Sequence, residues 1–144
     1  MGEKVKILVV DDEQDLCEIL QFNLESEGYE VETANSAEEA LKKPLQEFDL
    51  ILLDIMMGGM SGFKAADTIR KQKMLDTPII FITAKSSEND MLTGFNIGAD
   101  DFIQKPFSVK EVVARVKAVL KRGRIKQHEK LSFNNLEIDS EKKV

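Results

Sequence analysis

The sequence predicts an α/β protein in which five parallel strands form one sheet with helices on both of its faces. Three observations support this fold class. Five short apolar runs alternate with stretches in which apolar residues recur at helical spacing. Several of these runs contain almost no polar residue, which is typical of strands buried on both faces. The chain of 144 residues is long enough for one domain and a short additional segment.

The first two strands and helices follow directly from the N-terminus. Residues 5–12 (VKILVVDD) are nearly unbroken and rich in β-branched side chains, which predicts a buried strand. Apolar residues then recur at helical spacing until Gly28, which is expected to end the helix. Residues 29–34 alternate as a second strand does. Ser36 and Glu39 form a capping box, which marks the beginning of the second helix.

The middle of the chain continues the alternation. Pro44 is expected to kink the second helix or end it early, because proline lacks the amide donor of a helix interior. Residues 49–54 (DLILLD) form the third strand, whose apolar interior predicts burial on both faces. Residues 63–73 are predicted to be helical, and residues 78–83 (PIIFIT) form the fourth strand.

The last two helices flank a short strand. Residues 86–97 are predicted to form a helix that Gly98 ends, and residues 101–105 (DFIQK) form the fifth strand. Ser108 is the expected N-cap of the final helix. The apolar positions of that helix form one stripe, made of Val109, Val112, Val113, Val116, Val119 and Leu120.

The alternation of strands and helices also restricts the topology. Parallel strands that are joined by helices need crossover connections, which are right-handed in nearly all proteins. The expected arrangement is the doubly wound, flavodoxin-like sheet with strand order 2-1-3-4-5. In such sheets ligands bind beyond the carboxyl ends of the strands, at the switch point between strands 1 and 3.

Polar side chains stand at the carboxyl ends of four predicted strands, namely Asp11 and Asp12, Asp54, Thr83 and Lys105. Three carboxylates at one switch point repel one another, so either the pKa of one rises or a cation binds. Oxygen ligands without histidine or cysteine favour a hard divalent ion, and a partly hydrated Mg²⁺ fits best. The pattern therefore predicts a magnesium site.

A carboxylate at this position is also a candidate nucleophile toward phosphorus, which would make Asp54 the site of an aspartyl phosphate. In such chemistry Mg²⁺ bridges carboxylate and phosphoryl oxygens, while Lys105 and the hydroxyl of Thr83 contact the remaining oxygens. The glycines between positions 58 and 62 allow a tight turn and leave room for the phosphoryl donor.

The motifs ILVVDDE, DLILLDIMM, PIIFITA and GADDFIQKPF are similar to those of the receiver domain of two-component response regulators, whose fold is called CheY-like. The resemblance extends over about residues 4–122. It implies that Asp54 is the phosphoacceptor. It also implies that Asp11 and Asp12 are the acidic pair that holds Mg²⁺.

The resemblance implies further roles around the same site. The backbone carbonyl of Met56 is expected to be a third metal contact. Thr83 and Lys105 correspond to the switch hydroxyl and the phosphate-pairing amine, and Phe102 to an aromatic side chain that rotates. The bond between Lys105 and Pro106 corresponds to a cis peptide of the family.

The segment KPFSVKEVVARVKAVLKRGR resembles the last receiver helix of OmpR/PhoB-type transcription factors. Regulators of that type form homodimers through the face made by helix 4, strand 5 and helix 5 when they are phosphorylated. Charged residues of this chain match positions used in that pairing, namely Asp100, Asp101, Glu111, Arg115 and Lys117.

The same resemblance divides the chain into three segments. Residues 1–122 correspond to the receiver domain and residues 123–130 to a basic linker. Residues 131–144 (LSFNNLEIDSEKKV) show a hairpin pattern and resemble the first strands of a winged-helix DNA-binding domain. We expect the chain to be a fragment that ends just inside this second domain, so that DNA is contacted only through the missing effector part.

Two positions differ from the usual pattern of the family. Gly58 replaces a proline four residues after the phosphoacceptor, which is expected to loosen the loop through an unfolded-state effect of ~0.4–1 kcal/mol. Ser61 stands where Asp is common. Neither position is an expected metal ligand.

The hypothesis from the sequence is a signalling switch. A sensor histidine kinase phosphorylates Asp54, Thr83 and Phe102 reorient, and the phosphoryl group favours one of two existing conformations. The chain catalyses its own phosphorylation and dephosphorylation but is not an enzyme that turns over a free metabolite. The nearest alternative is a pseudo-receiver that binds partners without phosphorylation, and the complete set of acids argues against it.

Two other classes of function fit the sequence less well. A Mg²⁺-dependent phosphohydrolase usually carries a second acid two residues after its nucleophile, where this chain has Met56. A nucleotide-binding module would require G-x-x-x-x-G-K or G-x-G-x-x-G after strand 1, and neither motif is present.

Composition and charge bear on nucleic-acid binding, membrane insertion and the cellular compartment. The net charge is −6 with the basic residues concentrated between positions 110 and 130, so the chain as a whole is not expected to bind nucleic acid. No stretch approaches the ~20 apolar residues of a membrane span, and the N-terminus lacks the cleavage region of a signal peptide. Cys17 is a single cysteine without an internal disulfide partner, which favours a reducing cytoplasm.

Overall fold

A computed structural model of the protein describes residues 4–84 and 88–123, with the backbone alone for residues 88 and 89. The strands are β1 (Lys6–Val10), β2 (Glu30–Ala34), β3 (Leu50–Asp54), β4 (Ile79–Thr83) and β5 (Asp101–Gln104). The helices are α1 (Gln14–Ser26), α2 (Ala37–Leu41), α3 (Gly62–Lys71), α4 (Glu88–Ile97) and α5 (109–123). A short 3₁₀ turn, Leu45–Glu47, lies between α2 and β3.

All strand pairs are parallel, and the sheet order is β2-β1-β3-β4-β5, so the predicted fold class and topology are confirmed. The register places Val10 of β1 opposite Leu53 of β3. The next residues along these two strands are Asp11 and Asp54. The pairing of β1 with β3 therefore brings these two carboxylates to the same level at the carboxyl edge of the sheet.

The core lies on both faces of the sheet because successive side chains of a strand point to opposite sides. Leu8 and Val10 of β1 pack on the face that α2 and α3 cover. Ile7 and Val9 pack on the face that α1 and α5 cover. All five residues of β3 and of β4 are buried, which explains their almost uninterrupted apolar sequence.

The local signals for helix ends are confirmed with small shifts in the boundaries. Gly28 and Gly98 both have a positive φ after a helix. The hydroxyl of Ser36 accepts a hydrogen bond from the amide of Glu39 at the start of α2. That helix ends at Leu41, before Pro44, as the missing amide of proline requires.

The structure also gives Ser61 a role that the sequence did not predict. Its hydroxyl accepts a hydrogen bond from the amide of Lys64 at 3.2 Å and caps the N-terminus of α3. Serine is among the preferred N-cap residues. Ser61 therefore caps the helix that follows the loop after β3.

All five strands are shorter than predicted: β2, β3 and β4 each begin one residue later, and β1 and β5 end earlier. Strand β1 ends at Val10 and β5 at Gln104, so Asp11, Asp12 and Lys105 follow their strands rather than belong to them. The bond between Lys105 and Pro106 is cis.

Some expectations concern residues that the structure does not describe. The hairpin predicted at 131–144 lies outside the described residues, as does all of the predicted linker except residue 123. Within the described ranges, no helix is both long and apolar enough to cross a bilayer.

Candidate functional site

The three predicted carboxylates meet at the carboxyl edge of the sheet, between β1 and β3. Asp11, Asp12 and Asp54 each place one oxygen within 4.8 Å of the oxygens of the other two. Asp11 and Asp54 are fully buried, with 0% and 1% of their surface exposed. Asp12 is exposed and faces the solvent side of the group. The structure thus places all three acids in one small pocket.

Backbone contacts hold the two buried acids in place. The amide of Glu13 donates to Asp11 Oδ1 at 2.9 Å, and the amide of Met56 donates to Asp54 Oδ1 at 3.3 Å. The carbonyl of Asp11 accepts hydrogen bonds from the Cys17 thiol and the Asn35 side-chain amide, both at 3.3 Å. Both carboxylates are therefore oriented before any ligand binds.

The second oxygen of each buried acid has a different environment. Asp11 Oδ2 and Asp54 Oδ2 are buried, and neither accepts a hydrogen bond from any residue that the structure describes. A buried oxygen without a hydrogen bond is costly, and at functional sites it usually marks the place of an ion, water or ligand. The donor set, which consists only of oxygens, suits a hard divalent cation.

The ammonium of Lys105 lies beside these two oxygens. Its Nζ is 3.2 Å from Asp11 Oδ2, 3.7 Å from Asp54 Oδ2 and 3.4 Å from Glu13 Oε1. Burial by itself lowers the pKa of Lys105, but the carboxylates of Asp11, Asp54 and Glu13 together raise it above its usual value. Lys105 is therefore charged at neutral pH and is the single cation among several carboxylates in this part of the structure.

The carboxylates respond to burial in the opposite direction. The pKa of Asp54 is raised to about 6, mainly by burial and secondly by the charge of Asp11, against the opposing effect of Lys105. The pKa of Asp11 is also raised, again mainly by burial. The pocket thus carries more negative charge than one lysine neutralises, which favours a bound cation.

The two other predicted residues lie on the neighbouring strands. Thr83 ends β4, where it is buried and pairs in register with Gln104 of β5. Phe102 of β5 lies opposite Phe81 of β4, with ring centroids 5.4 Å apart. Phe102 packs on the face that α3 and α4 cover, and the alternation of strand side chains assigns Thr83 to that face as well.

The loop after β3 is held by contacts that the sequence did not reveal. The amide of Gly62 donates to the carbonyl of Ile55 at 2.9 Å, and a Cβ at Gly62 would lie 2.2 Å from the carbonyl oxygen of Asp54. Glu38 of α2 accepts a hydrogen bond from the amide of Met60 at 3.2 Å. The loop that contains Gly58 is therefore attached to α2 by a hydrogen bond.

Sequence reasoning missed two residues near the site, Glu13 and Glu38. Glu13 directly follows the acidic pair, so its position next to Asp12 was a usable signal for its contact with Lys105. No local signal pointed to Glu38, because its partner Met60 is 22 residues away in the chain.

The five charged residues of the predicted dimer face separate into two groups. Asp101, Glu111 and Arg115 form one cluster, in which Arg115 lies 3.0 Å from Asp101 and 3.2 Å from Glu111. Hydrogen bonding to Asp101 is the main reason why the pKa of Arg115 is raised. This cluster joins β5 to α5 within one molecule.

Asp100 and Lys117 lie apart from that cluster. Asp100 accepts a hydrogen bond from the amide of Ile79 at 3.0 Å and lies 3.7 Å from Arg70. Lys117 pairs with Glu27 at the end of α1, at 2.6 Å. Residues 115 and 117 are about 200° apart around a helix, so the two side chains point in nearly opposite directions.

Comparison with known families identifies the domain. The family described as the response regulator receiver domain matches residues 7–117. The chain belongs to this family. The receiver domain therefore occupies most of the described residues, and the acidic pocket lies within it.

Several bacterial regulators have similar sequences. The receiver domain and its flanks are 50% identical over 121 residues to PhoP of Bacillus subtilis, a regulator of alkaline phosphatase synthesis, covering 83% of this chain and 50% of PhoP. The response regulator SaeR of Staphylococcus aureus is 40% identical over 141 residues, covering 96% of this chain and 61% of SaeR. The chain thus spans only about half to three fifths of these relatives.

Solved structures of similar receiver domains support the fold. A receiver domain protein from Methanospirillum hungatei superimposes with a TM-score of 0.80 at 31% identity, covering 86% of this chain and 99% of that protein. The response regulator TrrA of Thermotoga maritima, solved with Mg²⁺ and beryllofluoride, gives a TM-score of 0.70 at 43% identity. That comparison covers 80% of this chain and 98% of TrrA.

Proposed function

We propose that this receiver domain is a phosphorylation switch and that Asp54 is its phosphoacceptor. One observation carries the proposal: the buried Asp54 shares a pocket with Asp11 and Asp12 and has an oxygen without a hydrogen bond among the described residues. A buried carboxylate whose charge one lysine compensates only in part is arranged for a ligand that brings both positive charge and further oxygens.

The residues at the pocket fit Mg²⁺. The carboxylates of Asp11, Asp12 and Asp54 would hold the ion, with the backbone carbonyl of Met56 as a further ligand. Support comes from the all-oxygen donor set and from the two buried oxygens that accept no hydrogen bond in the described part of the chain. When bound, Mg²⁺ supplies positive charge that offsets the carboxylates and the phosphoryl oxygens.

The reaction is a transfer of a phosphoryl group to a carboxylate oxygen. A free oxygen of Asp54 attacks phosphorus of a phosphohistidine on a sensor histidine kinase, so a P–O bond forms and the P–N bond breaks. The electron pair of the broken bond returns to the imidazole nitrogen. Lys105 and the Thr83 hydroxyl donate hydrogen bonds to the transferred oxygens, which stabilises the developing charge.

The domain also removes its phosphoryl group by itself. Water attacks phosphorus of the aspartyl phosphate, which releases inorganic phosphate and restores the Asp54 carboxylate. Both steps modify the protein and no free metabolite is turned over. The function is therefore that of a switch rather than of a metabolic enzyme.

The output of the switch is pairing with a second copy of the chain. Reorientation of Thr83 and Phe102 would alter the face of α4, β5 and α5. On this face α4 exposes three apolar side chains, Met91, Leu92 and Phe95. Strand β5 and helix α5 contribute the Asp101–Arg115 ion pair to the same face, and these charges would pair with charges of the second copy.

In the full-length protein this pairing would control a DNA-binding effector domain and hence transcription in the cytoplasm. The similarity to PhoP, which is described as a transcriptional regulatory protein, supports this part of the proposal. DNA contact would come only from the effector domain, because the chain carries a net charge of −6, which opposes binding to phosphate.

The test is phosphorylation of the wild-type chain and of Asp54→Asn by acetyl phosphate with Mg²⁺. We expect intact-protein mass spectrometry to show one added phosphoryl group in the wild type, none in Asp54→Asn, and none in the wild type with EDTA. NMR spectra with Mg²⁺ and beryllofluoride provide a second readout. An unchanged wild-type spectrum would contradict the switch and support a pseudo-receiver that works without phosphorylation.

A further inference from the structure

Helix α4 contains a buried glycine where a helix interior normally disfavours one. Gly94 lies three residues before the end of Glu88–Ile97 and is buried. Glycine destabilises a helix relative to alanine because it loses more backbone entropy on folding. Its presence at a buried helical position therefore indicates that a side chain there would meet an obstacle.

The obstacle is the ring of Phe102. A Cβ placed on Gly94 would lie 2.2 Å from Phe102 Cζ and 3.1 Å and 3.2 Å from the two Cε atoms. The ring thus points end-on at the backbone of α4 and occupies the space that a methyl group would need. Any residue larger than glycine at position 94 requires either the ring or the helix to move.

The same ring joins the interior of the sheet to the outer surface of α4. Its centroid lies 5.4 Å from that of the fully buried Phe81 and 5.0 Å from that of Phe95. Phe95 is half exposed, on the helix surface to which we assign pairing with a second copy. A movement of Phe102 would therefore remove a packing contact from that surface.

We infer that Gly94 is a positioning residue that determines where the Phe102 ring rests against α4. The notch left by the missing side chain stabilises the ring position seen in this structure. Because the ring touches both Phe81 and Phe95, its position sets the packing of α4 against β5. This inference rests on the proposed switch, in which Phe102 changes position when Asp54 is phosphorylated.

The test combines Gly94→Ala with Phe102→Leu, since leucine lacks the ring atoms that approach position 94. In the ligand-free protein, Gly94→Ala is expected to shift the NMR resonances of the Phe102 ring. It is also expected to change the apparent Kd for beryllofluoride with Mg²⁺ by about threefold or more. In the Phe102→Leu background the same substitution should change that Kd by less than about twofold.

Asn96→Ala is the matched control, because Asn96 is exposed on the same helix and its replacement also raises helix propensity. It should move neither the Phe102 ring resonances nor the Kd. Unmoved ring resonances in Gly94→Ala, or an equal change of Kd in both backgrounds, would overturn the inference. Failure of the wild type to bind beryllofluoride would instead overturn the proposed function, and the ring resonances would still decide the role of Gly94.

Discussion

The two edges of the sheet treat their charged side chains differently. At the amino edge, both terminal nitrogens of Arg70 have hydrogen-bond partners. At the carboxyl edge, one oxygen of Asp11 and one of Asp54 are buried and accept no hydrogen bond from the described residues. Arg70 Nη1 donates to the carbonyls of Leu75 and Thr77 at 2.9 Å and 2.7 Å. Its Nη2 donates to the carbonyl of Gly98 at 2.8 Å and lies 3.7 Å from Asp100.

The difference shows how one sheet separates stability from function. At the amino edge a partly buried charge joins the loop after α3 to the loop after α4, and its hydrogen bonds compensate for desolvation. At the carboxyl edge the charges of Asp11 and Asp54 are only partly compensated, since Lys105 is their single cationic neighbour among the described residues. The first arrangement stabilises the folded chain, and the second leaves room for a ligand.

Removing the charge at the amino edge gives the largest expected effect. Arg70→Met keeps much of the side-chain volume but leaves the carbonyls of Leu75, Thr77 and Gly98 without their donor. We expect the free energy of unfolding to fall by about 3 kcal/mol, because three carbonyls, two of them in part-buried hydrogen bonds, lose their charged donor. Urea denaturation followed by circular dichroism measures the change.

Lys71→Met is the matched control for this prediction. Lys71 is the next residue in α3 and is exposed, and among the described residues its one ion pair is with Asp67, one turn away. Its loss should change the free energy of unfolding by no more than about 0.5 kcal/mol. Equal effects of the two substitutions would mean that the amino edge does not depend on the contacts of Arg70.

Protonation at the carboxyl edge is expected to have a smaller effect of opposite sign. The pKa of Asp54 is about 6 in the folded protein against a usual value of 3.8, so the folded state binds more protons than the unfolded state between these values. The free energy of unfolding should therefore increase as the pH falls. Between pH 7 and pH 5 the increase attributable to Asp54 is about 1 kcal/mol.

The measurement is urea denaturation in EDTA at both pH values, for the wild type and for Asp54→Asn. The variant has no group to titrate at position 54 and should lack this part of the increase. Since Asp11 also has a raised pKa, a smaller increase is expected to remain in the variant. A wild-type protein that is less stable at pH 5 than at pH 7 would show that the acids of this edge are already compensated.

The loop at the carboxyl edge should show the smallest effect. Gly58 has a negative φ, and a Cβ at this position would have no atom within 4 Å. Gly58→Pro is therefore expected to raise the free energy of unfolding by about 0.4–1 kcal/mol, because proline restricts the unfolded chain. Thermal and urea denaturation measure the gain.

The neighbouring glycine provides a control of opposite sign. Gly59 has a φ of +81°, and a Cβ there would lie 2.9 Å from a carboxylate oxygen of Glu38. Gly59→Ala is expected to destabilise the protein by about 1–2 kcal/mol, because L-residues disfavour the left-handed region. Stabilisation by both substitutions would mean that the loop does not hold the conformation described here.

Much of this organisation was predictable from local sequence. Unbroken apolar runs indicated β3 and β4, and both strands are buried throughout. The capping box at Ser36 and the glycine at 28 marked helix ends, because their effects depend on neighbouring backbone groups only. The acids at the ends of β1 and β3 followed from the topology, since adjacent parallel strands end at the same edge.

Other features were not predictable because they join distant parts of the chain. The carboxylate of Asp100 accepts a hydrogen bond from the amide of Ile79, 21 residues away, and its place on the dimer face stays a prediction. Lys117 likewise pairs with Glu27, the residue after α1. Charged side chains have several possible partners at similar distances, and only the packing of the helices selects one of them.

The sequence by itself determined the order of strands and helices and the edge at which the acids collect, because periodicity and end signals act over a few residues. Its motifs also determined the family. Only the tertiary structure decided that Asp11 and Asp54 each keep a buried oxygen free of hydrogen bonds from described residues, and that Phe102 rests on Gly94. These outcomes depend on the approach of separate elements to within a few ångströms, and a linear pattern carries no measure of that distance.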